Sequence, residues 1–518
     1  MVKKCFLLIF VFSFIFLLTS CKKVPMDTAV KSGKVNEEIE ENLLDRKEND
    51  KEENRQKNQD ILNGNNLKEY AEKADLIELC LEPKLTSRNP VITNIYTADP
   101  SAHVWKDGRI YIYASHDMDP ARGCDLMDRY HVFSSEDMAN WVDEGEILRS
   151  DKVAWGREEG GFMWAPDCAY KDGTYYFYYP HPSEEDWNDS WKVGVATSKY
   201  PNKEFTDQGY IKGVGGFSMI DPAVFQDDDG RFYFYYGGGG KCQGGELNQD
   251  MMSLKTDLID MDGLRDFHEA AWVFKRDNIY YLIYADGQSN ANRMQYAVSS
   301  NPLGPWTSQG VFLEGTGCDT THGSVTEYKG QWYLFYHNQA VSGDSTLRSV
   351  CIDRLEFDEN GAIKLVNQTR EGITSILEEG SQGISNYYKK LSSYDVRKCE
   401  LYHGAVIGEK TDNSKEAAIY NLYKEGAECR FTNIDGGDGG RATIFIHYAT
   451  GEQWSKIRVK VNDVDYSLIN AKTTGGWSDY TGVASVSVNL ERGGNNTIRI
   501  TGGSGGINID GIVLGIFK

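Results

Sequence analysis

The chain has 518 residues, enough for two to four domains at about 150 residues each. Its 55 Lys and Arg stand against 77 Asp and Glu, a net charge of −22 that repels phosphates and anionic membrane surfaces and argues against nucleic acid as a partner. Aromatics at 12%, led by 31 Tyr, with 53 Gly and only 12 Pro, favour sheets and tight turns and exclude a collagen, a coiled coil and a multi-span membrane protein.

Lys3 and Lys4 precede an apolar run from Cys5 to Leu18, too short to span a bilayer comfortably and of the form of a signal peptide. It ends in Leu18-Thr19-Ser20-Cys21, which resembles a bacterial lipobox; that likeness implies lipidation of Cys21. Residues 1–21 are therefore expected to be a lipoprotein signal. The mature chain is expected to be exported and held on a bacterial membrane, at the cell surface or in the periplasm, by its acyl chains alone. Residues 22–86 are rich in Lys, Glu, Asp and Asn and read as a flexible spacer, with too little apolar surface to offset chain entropy. Of ten cysteines, none forms a CxxC pair, so zinc and thioredoxin-type sites lack support, and disulfide pairing cannot be read from the spacing.

Residues 87–380 repeat themselves. A turn followed by an aromatic run occurs at Lys106–Tyr113, Lys171–Tyr179, Asp229–Tyr236, Arg276–Tyr284 and Lys329–Tyr336. Each reads as a hairpin whose Asp-Gly or Gly turn supplies positive φ and whose aromatic run is a buried strand. A second signal, a Ser- or Thr-rich turn, then an aromatic, then a glycine before an apolar pair, closes several units. Trp141 with Gly145, Phe205 with Gly209 and Trp306 with Gly310 carry it. Five units at even spacing predict an all-β fold, a five-bladed β-propeller, in preference to a sandwich of repeated hairpins.

In such a ring the segment before each aromatic hairpin is the inner strand, and its start faces the axis. Acids recur at equivalent inner positions in units one, three and four: Asp99, Asp221 and Glu269. Each stands among apolar residues, where an ionised carboxylate is costly to desolvate, so the three together predict a site rather than three strand caps. Asp167 lies one place out of register and is given no catalytic role.

The set Asp99-Pro100, Trp164-Ala165-Pro166-Asp167, Asp221-Pro222-Ala223-Val224-Phe225, Glu269 before Lys275-Arg276, and His322-Gly323-Ser324 resembles glycoside hydrolase family 43. The resemblance implies a five-bladed propeller that hydrolyses arabinofuranosyl, xylosyl or related linkages of plant polysaccharides with inversion. It implies Asp99 as general base, Glu269 as general acid and Asp221 as the carboxylate that tunes and orients the acid. It also places His322 near the channel axis, associated with calcium through water, and Arg348 at the site floor. Trp164 and Phe217 are expected as apolar walls for a sugar ring, although blade-to-blade packing accounts for Trp164 equally well. An inverting enzyme needs one protonated carboxyl and one carboxylate about 6.5–9.5 Å apart, leaving room for the attacking water.

Residues 390–518 alternate short β-runs with glycine-rich turns and suit a β-sandwich of jelly-roll type. Glu400, Gly475-Gly476-Trp477 and Asn508-Ile509-Asp510 resemble carbohydrate-binding module family 6. The likeness implies Tyr423, Trp477 and Asn508 as sugar-binding residues and a structural calcium near Glu400 and Asp510; Lys398, where a second glutamate is common, puts that metal in question. No organic cofactor is expected. Two other functions stay open on the sequence: a non-catalytic surface glycan-binding lipoprotein, and a retaining fructan-type hydrolase on a related propeller, whose carboxyls would lie closer, at about 5–5.5 Å.

Overall fold

Every aromatic run becomes the second strand of an antiparallel sheet. The protein is represented by a computed structural model that describes residues 72–120, 123–183, 190–216, 219–287, 292–376, 383–410, 416–466 and 468–518. The expected signal with Cys21, the spacer up to residue 71, and Phe217 lie outside the described residues.

Among the described residues, the first sheet orders β1 (Thr97–Val104), β2 (Ile110–His116), β3 (Arg129–Ser135) and β4 (Val142–Arg149). The second holds β5 (Asp167–Lys171), β6 (Thr174–Pro182), β7 (Trp191–Ser198) and β8 (Thr206–Gly215); the third holds β9 (Ala223–Gln226), β10 (Phe232–Gly238), β11 (Lys241–Glu246) and β12 (Ile259–Asp260). The fourth holds β13 (Phe267–Arg276), β14 (Ile279–Asp286), β15 (Met294–Ser299) and β16 (Thr307–Leu313). The fifth has β17 (Ser324–Tyr328), β18 (Gln331–Asn338) and β19 (Ser349–Arg354). The first hairpin of each sheet turns through left-handed backbone, at Gly108, Gly173, Gly230 and Gly330 in four of them and at Asp277 and Asn278 in the fourth sheet. The aromatic runs that follow are core: Tyr113, Tyr178, Tyr235, Tyr281 and Tyr336 are fully buried.

The first strand of each sheet is the inner one. β1 lies against β5 and β17, β5 against β9, β9 against β13, and β13 against β17, so the circuit closes. Side chains staple every seam. The Asp167 carboxyl accepts from Ser101 Oγ at 2.7 Å in the first sheet and from the Val224 N–H at 2.6 Å in the third. Asp221 accepts the Ala270 N–H at 2.8 Å across the third and fourth. Trp272 Nε1 donates to the Val325 carbonyl at 3.1 Å, and Ser324 Oγ accepts the Ala102 N–H at 3.0 Å while donating to the Pro100 carbonyl at 2.7 Å. The position of Asp167 outside the acid register thus has a physical use: it joins three inner strands. The edge of β19 is covered by the beginning of the domain, where Val91 N donates to the Val350 carbonyl at 2.8 Å and the Asn89 side chain exchanges two hydrogen bonds of 2.9 Å with Ile352.

The C-terminal domain is two sheets packed through one core of Ile444, Ile446, Val459, Ile498, Ile500 and Ile512. One sheet runs Val406–Glu409, Ala417–Tyr420, Asn508–Phe517, Gly440–Ala449, Gly482–Leu490, with Tyr388–Asp395 also on Asn508–Phe517. The other runs Glu400–Tyr402, Glu428–Ile434, Asn496–Gly502, Trp454–Val461, Val464–Asp465, with Ile469–Lys472 also on Trp454–Val461. The spacer expected through residue 86 ends earlier, because residues Glu72–Leu81 form helix α1. Its Cys80 and Leu81 are buried against Tyr388, Phe445 and Val513, apolar surface that the charge-rich composition of the whole segment conceals. The two domains are riveted by buried Glu144, which accepts from Arg109 at 3.2 Å in its own sheet and from Arg441 of the sandwich at 2.8 Å. All eight cysteines among the described residues are free thiols.

Candidate active site

Three acids enter the inner wall through irregular backbone. Asp99 has φ 53° inside a bulge of β1 between Ala98 and Ser101, and Asp221 has φ 55° just before β9. Glu269 sits between two register shifts in β13, followed by Ala270 at φ 65°. Left-handed backbone is uncommon for non-glycine residues and least so for Asp and Asn. β1 is eight residues long and continues past the bulge to Val104.

Asp99 is buried and gripped. Its Oδ2 accepts from Ser115 Oγ at 2.8 Å, its Oδ1 from Arg348 Nη1 at 3.1 Å, and its backbone N–H donates to His337 Nδ1 at 3.1 Å. His337 Nε2 in turn donates to the Thr320 carbonyl at 2.9 Å, which sets a neutral tautomer. Burial and the adjacent Arg348 charge lower His337 to about 4. Arg348 is itself held by Asp117, Nε to Oδ2 at 2.9 Å and Nη2 to Oδ1 at 2.8 Å, with its own N–H also on Asp117 at 2.8 Å. Burial pushes the Asp99 carboxyl up, but the Arg348 guanidinium, the neighbouring histidines and the Ser115 hydrogen bond together outweigh it, and Asp99 stays below the ordinary carboxylate range.

Asp221 and Glu269 behave in the opposite sense. Burial raises both; the Glu269 and Asp99 charges add to the rise at Asp221, and the Asp99 charge adds to it at Glu269. The pair keeps one proton above the usual carboxylate range. The Ala270 N–H on Asp221 favours its ionised form and offsets part of the rise there. One end of the ring therefore offers one carboxylate held ionised beside two carboxyls raised above the ordinary range, the equipment for general acid–base work.

The residues expected around this centre take up these places. Arg348 is in the floor as described. His322 is buried, with Nδ1 3.6 Å from Asp221 Oδ2. Trp164 is half-buried, its ring centre 4.4 Å from that of buried Trp191, and its Nε1 donates to the Cys124 carbonyl at 3.0 Å. Sequence reasoning missed Ser115, Asp117 and His337. They have a common signal: each stands where an aromatic second strand ends, in Ser115-His116-Asp117 after Tyr113 and in His337-Asn338 after Tyr336. Polar residues there point to the place where a strand leaves the packed wall.

In the C-terminal domain, Tyr423, Trp477 and Asn508 line one cleft of about 480 Å³ together with Tyr420, Asn421 and Glu452. Tyr423 is 62% and Trp477 44% exposed, unusual for large aromatics, and Asn508 Nδ2 donates to the Trp477 carbonyl at 2.8 Å. The expected Glu400–Asp510 metal site is not formed. The two residues lie on opposite sheets, and the Asp510 oxygens are taken by Lys410 Nζ at 2.6 Å and His447 Nδ1 at 2.7 Å, so an ammonium already supplies the positive charge a cation would bring.

Residues 87–363 match the profile of Glycosyl hydrolases family 43. The chain belongs to glycoside hydrolase family 43. Among family 43 relatives, a xylosidase/arabinosidase of Bacteroides ovatus is 34% identical over 54% of this chain and 97% of that protein. A solved family 43 β-xylosidase/α-arabinofuranosidase from a compost microbial metagenome, in complex with xylotriose and in calcium-free form, covers 54% of this chain and 98% of its own, with 34% identity and a TM-score of 0.50. A family 43 enzyme of Xanthomonas citri covers 58% and 99%, with 32% identity and a TM-score of 0.51. Residues 403–513 match carbohydrate-binding module family 35, which replaces the family 6 resemblance. An exposed Tyr and Trp with an Asn beside them describe a sugar cleft on a sandwich without separating one such family from another.

Calcium takes six to eight oxygen ligands, and among the described residues no three His, Cys, Asp or Glu side chains converge as a metal cage. His322 nevertheless is buried, carries no hydrogen bond within the described protein, and is kept neutral by burial. That fits a neutral imidazole hydrogen-bonded to a water of a hydrated cation rather than bound to the cation itself.

In this family 43 site, Asp221→Asn keeps the Ala270 hydrogen bond and removes a charge. The Glu269 proton is then lost at lower pH, and the alkaline limb of kcat/KM moves down. Arg348→Met acts on the other limb: Asp99 loses its counter-charge, its pKa rises, and activity falls away at a pH about one unit higher on the acid side. Both shifts are read from pH–rate profiles; limbs unmoved in both variants would contradict the charge assignment.

Proposed function

We propose that this protein is an exo-acting, inverting glycosidase that removes arabinofuranosyl or xylosyl residues from plant cell-wall polysaccharides or their oligosaccharides. The observation that carries the proposal is the grouping of three acids at one end of the ring, with Asp99 bound by Arg348 at 3.1 Å and its carboxyl held low while those of Asp221 and Glu269 are pushed up. Glu269 gives its proton to the glycosidic oxygen as the bond to the anomeric carbon breaks. Asp99 takes a proton from a water whose oxygen bonds that carbon from the opposite face, so configuration inverts. Asp221 keeps Glu269 protonated, and Arg348 keeps Asp99 ionised. Solvent exchange then returns the proton to Glu269 and removes it from Asp99.

In this reading the five sheets are the blades of one propeller and the sandwich is a jelly roll. Trp164 and Phe217 wall the sugar site, and Tyr423, Trp477 and Asn508 hold a glycan chain in the second cleft. Calcium, carried through water beside His322, would supply fixed positive charge and ordered water at the axis. The names of the relatives, xylosidase/arabinosidase and β-xylosidase/α-arabinofuranosidase, support the sugar class. A purely glycan-binding role has no need for a proton donor beside a base, and membership of family 43 leaves the fructan reading without support.

The central test is NMR of the first-formed sugar from a nitrophenyl β-D-xyloside or α-L-arabinofuranoside, with inversion expected. Asp99→Ala and Glu269→Gln should each lower kcat/KM about 10²–10⁴-fold; a retained anomer or undiminished rates would refute the mechanism. Trp477→Ala should weaken arabinoxylan-oligosaccharide binding about tenfold by calorimetry, and equal affinity would remove the cleft from the account. The lipobox motif predicts membrane attachment through Cys21, so Cys21→Ser should release the protein to the soluble fraction, and continued sedimentation with membranes would reject the anchor.

A further inference from the structure

The sandwich reaches the floor of the acid site through Lys456 and Trp454. Lys456, on the strand Trp454–Val461, points its ammonium across the domain boundary, and each of its three N–H donors has an acceptor. These are Tyr96 Oη at 2.6 Å, Asp119 Oδ2 at 2.8 Å and, within its own domain, Asn470 Oδ1 at 2.6 Å. Lys456 is largely shielded, its side chain only 14% exposed. Next to it Trp454 packs on a cluster of Tyr96, Val341 and Leu347.

The two propeller residues it grips flank the charge relay. Tyr96 precedes β1, three residues before Asp99, and Asp119 follows Asp117 by two. The Tyr96 carbonyl accepts the Asp117 N–H at 3.1 Å, and the Thr97 N–H donates to the Arg348 carbonyl at 2.8 Å. Lys456 thus ties together the two backbone segments that must stay in register for Asp117 to hold Arg348 and for Arg348 to reach Asp99. Leu347, under Trp454, is the residue before Arg348. A module serving only to raise local substrate concentration would gain nothing from such contacts.

We propose that the C-terminal domain is a structural part of the active site and that Lys456 is a positioning residue for the Asp117–Arg348–Asp99 relay. This rests on the glycosidase reading for its consequence in catalysis, although not for the mechanical coupling itself. Misplacement of a catalytic group by a fraction of an ångström slows chemistry far more than it weakens binding of a small substrate.

The test uses the whole chain and nitrophenyl glycosides, too small to span both clefts. Lys456→Met should lower kcat about tenfold with KM changed less than about twofold, and Lys456→Arg, which keeps the charge, should restore most of the rate. Asp119→Asn, made from the propeller side, should reproduce the loss. Lys460→Met, on the same strand with only Asp465 as ion partner at 2.9 Å, is the control and should match wild type. Hydrogen–deuterium exchange gives a readout independent of turnover: peptides covering residues 94–99 and 115–119 should exchange faster in Lys456→Met and not in the control. Unchanged exchange in those peptides, or kcat equal to wild type in both Lys456→Met and Asp119→Asn, would overturn the proposal. A wild-type protein inert on these glycosides would instead refute the glycosidase reading, while the exchange comparison would still decide the coupling.

Discussion

Three carboxyl groups share a space from which most water is excluded, and the arrangement exists only because one guanidinium is fixed among them. Asp99, Asp221 and Glu269 arrive from three sheets, and closing the ring would force like charges together. Arg348 resolves this asymmetrically. Clamped in two-pronged fashion by Asp117, it faces Asp99 and leaves the other two acids to divide a single proton. Arg348 thus sets Asp99 apart electrostatically from the other two carboxyls.

The architecture makes that asymmetry possible at low cost. Each inner strand brings a short irregular stretch to the axis, and the aromatic second strand behind it is packed tightly enough to hold the irregularity in place. Asp99 and Asp221 both adopt left-handed backbone, and each is trapped by hydrogen bonds from a neighbouring sheet: His337 on the Asp99 N–H, Asp221 on the Ala270 N–H. Local strain at the axis is thus carried by bonds across the seams.

Much of this was legible in the sequence because the signals are local. Turn residues before aromatic runs, glycine in four sheets and Asp277-Asn278 in the fourth, mark Ile110–His116 and its four counterparts, and the bulge glycines Gly145, Gly209 and Gly310 (φ 94°, 98° and 115°) mark where a fourth strand departs from regular pairing. The acids were visible as charge set among apolar residues. What escaped notice depends on distant pairing. Asp117 reads as a loop aspartate until β19 places Arg348 beside it. Asp510 and Glu400 read as metal ligands until the fold sets them on opposite sheets and brings Lys410 to one of them. Helix α1 escaped because its two buried residues, Cys80 and Leu81, lie at the end of a charge-rich stretch that sets the average composition.

Asp221 is employed twice. The carboxyl that feels the Glu269 charge also fastens the third sheet to the fourth, its Oδ2 accepting the Ala270 N–H. Tuning and masonry are therefore not separable at this residue. A lineage drifting toward acidic or alkaline habitats could not retune the proton donor by exchanging Asp221 for an apolar side chain without loosening a joint in the wall. Adaptation would be steered outward, to less constrained charges such as half-exposed His268, 3.7 Å from Glu269, where acidity can vary while the masonry stands.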